Sequence, residues 1–422
     1  MRLEPGRLPG LLARGALPIA VAVAVQSAGN LAFHAAVGRH LDADAYGALG
    51  TVLAAMMMLG VPLGAVQTAA SALVAEHGLS RASARRTLLL VACWSLGPAL
   101  AVLACAPLLR DYFHLAGLAE AVQLAPYLII AAVVAAARGL LLGARRIGTV
   151  AVTYFVATAV RLALGLALTV PFGVAGALAA TVAAELAALL AVARPLRHPD
   201  GAGTPGALRL GAVAHAGLAV TGLFLFSTVD LLMARHHLRD GSSGAYIAAA
   251  TVAKTVLAIP AGIMSAVFPR LLAGWHRPGR ARVLAAGGLA VAGPALLGAV
   301  VIIAVPGLVL RVLYGDGYAD AEPLVRALVS VAALTSLVTV LTYAALARRA
   351  RTLVVPWLGA GLEVALIETW HASALQIALC SAAALVPTLL LMVLLEGRVW
   401  ARPTAQVGVA GVEQSRSAAP AA

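Results

Sequence analysis

Charge is scarce in this chain. Only 11% of its 422 residues are Asp, Glu, Lys or Arg, where soluble domains carry about 25%. That deficit excludes an ordinary soluble globular domain. Lysine is almost missing, with Lys254 the only one. Heavy use of Ala and Arg in its place points to a bacterial genome rich in G and C. Cysteine appears three times, as Cys93, Cys105 and Cys380. All three fall in apolar stretches, without metal-ligand spacing or a disulfide framework, so neither a metal nor a cofactor is expected. Aromatic residues are 5% of the chain, which leaves few rings for stacking on sugars. No glycine loop ends in Gly-Lys-Ser or Gly-Lys-Thr, which speaks against an ATP-driven pump. No polar segment is large enough for a glycosyltransferase domain, and the chain is not expected to be an enzyme.

What is present is hydrophobic: 62% of the residues, with mean hydropathy +0.96. The apolar residues fall in twelve stretches: 17–37, 46–68, 87–109, 121–143, 148–170, 173–193, 208–233, 246–268, 285–310, 323–346, 352–371 and 374–395. About 20 apolar residues in a helix cross a hydrocarbon core about 30 Å thick. Backbone groups in lipid must be satisfied within the span, and no alternating ten-residue pattern of a barrel appears, so the spans are expected to be helices.

The net charge of +13 suggests nucleic acid at first sight, but its distribution argues against that partner. Alternating the twelve spans puts 21 arginines on one side, in clusters such as Arg81-Arg85-Arg86, Arg145-Arg146 and Arg348-Arg349-Arg351. The other side holds five: Arg39, Arg110, Arg235, Arg239 and Arg311. Its loops carry acids instead, including Asp42, Asp44, Asp111, Glu120, Asp240, Asp316 and Asp320. The positive-inside rule then places both termini in the cytoplasm of a multi-pass inner-membrane protein, with anionic lipids as secondary partners.

The chain also repeats itself. Asn30 answers to Asp230, Tyr46 to Tyr246, Val61-Pro62 to Ile259-Pro260, Gly97-Pro98 to Gly293-Pro294 and Arg145-Arg146 to Arg348-Arg349, at offsets from about 196 to 203. Tandem apolar repeats are a hallmark of transporters. The expected fold is all-α and membrane-embedded, with about twelve helices in two pseudo-symmetric six-helix lobes around a central cleft. Residues 1–16 are expected at the inner membrane surface, 17–193 as the N-lobe, 194–208 as a Pro/Gly-rich cytoplasmic linker, 209–396 as the C-lobe and 397–422 as a disordered tail. An even span count makes the lobes parallel repeats. Pro62 and Pro260, and Pro98 and Pro294, predict matched bends.

The turn Gly38-Arg39-His40-Leu41-Asp42-Ala43-Asp44-Ala45-Tyr46-Gly47 resembles that of bacterial polysaccharide-biosynthesis membrane proteins of the multidrug/oligosaccharidyl-lipid/polysaccharide exporter superfamily. The second copy, Arg235 to Tyr246, departs by two inserted residues and lacks the glycine. The resemblance implies alternating access by two lobes, with spans 1, 2, 7 and 8 lining the cleft. It implies a lipid-linked oligosaccharide or polysaccharide precursor as cargo, driven by an ion gradient or membrane potential. An ion-coupled drug or metabolite antiporter of the same architecture is the alternative, and a non-transporting membrane enzyme or scaffold of glycan synthesis a third. A large cationic cleft between lobes would mark the first, a smaller cleft dominated by carboxylates such as Asp230 the second, and no central cleft the third.

Charges deep in a span are costly and therefore candidates for function. Lys254, nine residues into span 8, and Arg161, in mid-span 5, are the deep cations. Either suits the phosphate of a lipid-linked sugar, with Asn30, Gln26 and Gln67 as partners for sugar hydroxyls. Asp230, Glu363 and Glu185 are the candidates for ion coupling or gating. Blander readings stand beside these: Lys254 pairs only with Asp230, Asp230 orients the turn beside Arg235, Glu185 is a packed neutral carboxyl, and Arg161 ties to its repeat equivalent Glu363. Arg138 and Arg326 are expected to snorkel. Tyr112, Tyr314, Trp94, Trp357 and Trp370 are expected as interface anchors, and His34 and His215 as hydrogen-bonded helix residues.

Overall fold

The computed structural model describes residues 8–197, 208, 210–239, 241–256, 280–347 and 350–400. Pro260, most of the linker, the tail and the side chain of His215 lie outside the described residues. Among those described there is no strand. The N-lobe comprises α1 (Leu8–Gly38), α2 (Ala43–Gly60), α3 (Leu63–His77), α4 (Arg81–Ala104), α5 (Ala106–Tyr112), α6 (Leu118–Val122), α7 (Leu124–Gly143) and α8 (Ile147–Arg197). The C-lobe comprises α9 (Leu210–Phe226), α10 (Val229–His237), α11 (242–256), α12 (Arg280–Ala304), α13 (Pro306–Tyr314), α14 (Glu322–Ala347), α15 (Val355–Thr369) and α16 (Ala374–Trp400).

Local chemistry sets the helix ends. Asp42 caps α2 by accepting from the Ala45 amide at 2.8 Å. Ser80 and Ser83 form a reciprocal capping box on α4. Pro107, Pro306 and Pro356 stand in the first turns of α5, α13 and α15, where a missing N–H costs nothing. At 51 residues α8 is far too long for one crossing. It breaks at Gly173, whose φ of 54° favours glycine. Ala157 of the first arm then packs against Ala184 and Ala188 of the second.

Among the described residues eight helices are long and apolar enough to cross a membrane, nine with the bent pair α12–α13, whose halves meet at 85°. Dividing α8 and adding α9–α10 and α11 gives about twelve spans, the number the hydropathy pattern predicts. Exposed Leu100, Leu108, Val170, Phe172, Leu190 and Leu297 suit a lipid-facing surface. The expected bends at Pro98 and Pro294 are displaced. Both α4 and α12 continue through their prolines and end seven and eleven residues later, at the matched breaks Cys105 and Val305. Each break precedes a short helix with proline in its first turn, where the ring suits the chain without disturbing a hydrogen bond.

Small residues bring helices together within the lobes. A Cβ on Gly139 of α7 would sit 2.2 Å from the Gln67 carbonyl of α3. One on Gly165 of α8 would sit 2.6 Å from the Phe33 ring of α1. The lobes meet along α3 and α9, where a Cβ on Gly217 would lie 3.6 Å from the Ala65 side chain, and more extensively at one end. There a continuous core joins Phe33, Tyr46 and Leu49 of the N-lobe to Tyr246, Ile247, Leu310 and Tyr314 of the C-lobe. Toward the arginine-rich end, the described core of each lobe is its own, apart from Leu208 packing on the N-lobe.

Candidate functional site

Asp230, Lys254 and Glu363 come together inside the C-lobe. The chain breaks at Ser227-Thr228, between α9 and α10, so Asp230 enters the first turn of α10, where a carboxylate favours the helix dipole. Glu363 comes from α15, Lys254 from α11 and Ser381 from α16. They line one cavity with Ser227, Thr335 and apolar residues such as Phe226, Leu328 and Leu385. The space open to water-sized atoms is about 30 Å³, enough for a water or a small ion. Asp230 and Glu363 are 7% and 2% exposed. The Tyr246 hydroxyl donates to Asp230 Oδ2 at 2.9 Å, while Asp230 Oδ1 and Glu363 Oε2 accept from no group among the described residues.

Arg161 lies in the other lobe. Its Nη1 donates to Asn30 Oδ1 at 2.7 Å, and its guanidinium sits 4.2 Å from the centre of the Phe33 ring. Glu185, on the second arm of α8, and Tyr127 of α7 bear on it electrostatically. Among the described residues no ion pair joins Arg161 to Glu363; each belongs to the polar centre of its own lobe. Gln26 and Gln67 are half-buried on α1 and α3 and do not line the C-lobe cavity.

Several side chains read from sequence as peripheral are interior. Arg138 does not snorkel; it is buried, donates to Thr153 Oγ1 at 2.9 Å and lies 4.2 Å over Tyr154. Tyr314 is no interface anchor but a buried partner of Tyr46, their hydroxyls 3.1 Å apart. Tyr112 stacks on His236 at 3.9 Å. His34 is the hydrogen-bonded helix residue expected, its Nδ1 2.9 Å from the Tyr46 hydroxyl.

The largest departure from the sequence reading is Arg235, which counts there among loop charges. It is 2% exposed. Its guanidinium donates to the carbonyls of Phe113 at 2.9 Å and His114 at 2.8 Å, to the Asp44 carboxylate at 2.5 Å and to Ser243 Oγ at 2.9 Å. One C-lobe side chain thus holds the ends of α2 and α5 in the N-lobe. Arg39, its partner in the repeated turn, makes the mirror contact, donating to the carbonyls of Val312 and Leu313 on α13. The repeat contained the signal for this pair; the acceptors are more than a hundred residues away.

Two six-span lobes that share a core at one end, each with a polar centre of its own, give this chain the fold of a multi-pass membrane transporter. That fold is shared with solved members of the MOP superfamily. An inward-facing multidrug resistance MATE family transporter superposes with a TM-score of 0.69 at 15% identity, over 87% of this chain and 93% of that one. The MATE multidrug transporter DinF-BH in complex with R6G gives 0.68 at 18%, over 94% and 97%. The lipid II flippase MurJ in an inward closed conformation gives 0.65 at 11%, over 89% and 86%. No family model matches the sequence, and neither does any curated protein.

Proposed function

We propose that this chain is an ion-coupled exporter working by alternating access, with Asp230 and Glu363 as the coupling carboxylates and a lipid-linked oligosaccharide or polysaccharide precursor as cargo. The observation that carries the coupling is the C-lobe cavity, lined by two buried carboxylates that each have one oxygen unsatisfied among the described residues. Such groups are costly in a membrane unless they bind and release charge. The cargo reading is supported by the Gly38–Gly47 turn and by the shared fold with a lipid II flippase. The arginine asymmetry supports a bacterial inner membrane with both termini in the cytoplasm, an orientation in which the sealed end faces outward.

A drug or metabolite antiporter is the second reading. The same acidic pair favours it, because Lys254 shares its cavity with two carboxylates. Proteoliposomes separate the two. Flipping of a fluorescent polyprenyl-pyrophosphate sugar under an imposed proton or sodium gradient supports the first, and counter-transport of a lipophilic cationic dye without glycolipid flipping supports the second. In either case Asp230→Asn and Glu363→Gln should each lower gradient-driven transport about tenfold or more, the scale of losing a charge-assisted contact of about 1.5–3 kcal/mol. Undiminished gradient-driven transport in both variants would remove the carboxylates from the coupling role.

A further inference from the structure

We propose that Tyr246 is a positioning residue that links the charge on Asp230 to the contact between the lobes. This rests on the reading of Asp230 as a coupling carboxylate and names the route by which its loading reaches the sealed end.

The route is short. Tyr246, on α11, is fully buried, and its hydroxyl donates to Asp230 Oδ2 of α10 at 2.9 Å. Its chain neighbour Ile247 fills a notch in the other lobe: a Cβ on Gly50 of α2 would lie 2.2 Å from Ile247 Cγ2. Tyr246 and Ile247 both belong to the core that joins the lobes. Three residues earlier, Ser243 Oγ would lie 2.6 Å from a Cβ on Gly47, also of α2. The first turns of α11 therefore hold the carboxylate of their own lobe and a helix of the other.

The repeat-related Tyr46 is built in the same way. Its hydroxyl lies 2.9 Å from His34 Nδ1 on α1 of its own lobe and 3.1 Å from the Tyr314 hydroxyl on α13 of the other. Each tyrosine closes a turn that opens with an arginine reaching across the lobes, Arg39 or Arg235. Each thus ties a polar side chain of its own lobe to the contact with the other.

Charge makes the C-lobe tie responsive. To an ionised Asp230 the phenol makes a charge-assisted bond, about twice as strong as one between neutral groups. A carboxylate neutralised by a proton or a bound cation accepts more weakly. The change falls on a ring held in a close-packed core, which moves between discrete arrangements rather than yielding smoothly. Loading Asp230 loosens Tyr246 and, with it, the seat of Ile247 on α2. Glu363 and Lys254 line the same cavity and bear on the charge of Asp230. Among the described residues, Asp230 is the one of these three that bonds the tyrosine.

The test is a double-mutant cycle on the full chain in nanodiscs. Spin labels at positions 111 and 239, one on each lobe, read the open population at about pH 8, where an ordinary histidine is neutral. Asp230→Asn removes the charge, and Tyr246→Phe removes the hydroxyl but keeps the ring. Each is expected to raise the open population about threefold or more. Combined, they should raise it no further than the larger single change, because both break one bond. Effects that multiply, as a tyrosine that only packs would give, overturn the proposal. So does a distribution unmoved by either change. Should Asp230→Asn not fold, Asp230→Ser takes its place in the cycle. Gradient-driven transport is read on the same variants. Undiminished transport in Asp230→Asn removes the coupling reading and the proposal with it, whereas lost transport with multiplying effects removes the link through Tyr246 alone.

Discussion

Asn30 holds the cation of the N-lobe in place. Its amide oxygen accepts from Arg161 at 2.7 Å, and the arginine Nε has no partner among the described residues. Asn30→Ala would strip a second interaction from a guanidinium that water does not reach easily. The expected loss is about 1–3 kcal/mol, seen as a lower midpoint of thermal unfolding in detergent. Asn30→Asp supplies a charge instead and should unfold no earlier than wild type; a midpoint unmoved by Asn30→Ala would show that Phe33 and Glu185 suffice. At this scale the sequence is partly legible. Arg161, Lys254, Glu363 and Asp230 stand out because a charge in a long apolar run is rare, and the repeat pairs Asn30 with Asp230. Their company is not legible. Arg161 finds Asn30 131 residues away, and Lys254 sits beside acids from two other helices. Hydropathy reports depth along a span but not which way a side chain points around it.

At the scale of elements, the two repeated turns clasp each other's lobes. A helix ends with carbonyls that have no partner within it, and an arginine fork serves two at once. Arg235 takes those at the end of α5, and Arg39 takes those at the end of α13. The copies are unequal. Arg235 is buried, whereas Arg39 is exposed. The Asp44 side chain is 62% exposed, so its ion pair contributes little beyond what solvent offers; the buried carbonyl bonds carry the latch. Close backbone approach finishes the seal, since a Cβ on Gly244 would lie 1.8 Å from the Ala43 carbonyl oxygen. Arg235→Lys, which cannot reproduce the fork, and Gly244→Ala are both expected to shift the chain toward opening at this end. Spin labels at positions 111 and 239, one on each lobe, would report a longer distance population in either variant. An unchanged distribution in Arg235→Lys would mean the apolar core alone closes the end. The span count and the turn motif were readable beforehand. The breaks at Cys105 and Val305 were not, because the nearby prolines drew the bend to the wrong residues.

At the scale of the whole molecule, the same end carries a layer of histidines that ties closure to pH. His236 stacks on Tyr112 of the N-lobe at 3.9 Å, and its Nδ1 lies 3.0 Å from the Tyr112 carbonyl. His114 of the N-lobe places its Nε2 3.2 Å from the His236 carbonyl. His237 stacks on His371 at 4.0 Å and lies 3.6 Å from Glu368. Burial, with His371 and His236 beside it, holds the His237 imidazole below its ordinary value of 6.5, and Glu368 opposes them only in part. The sign follows from linkage. Where lobe separation exposes His237 to water its ordinary value returns, so the closed form binds protons more weakly than the open form. Closure is therefore fully favoured above about pH 6.5 and weakens as the pH falls through that value toward the lowered one. His237 is two residues from Arg235, so displacing the end of α10 also displaces the latch. Labels at positions 111 and 239 in nanodiscs should show a growing open population between about pH 8 and pH 5.5. His237→Gln with His371→Gln should abolish the pH response while leaving the distribution at the higher pH close to wild type. If the response persists in that double variant, the protons act elsewhere, and Asp230 and Glu363 become the groups to test next. In the proposed orientation this end faces outward, and acid outside the cell would loosen it, the direction the proposed export requires when protons drive it.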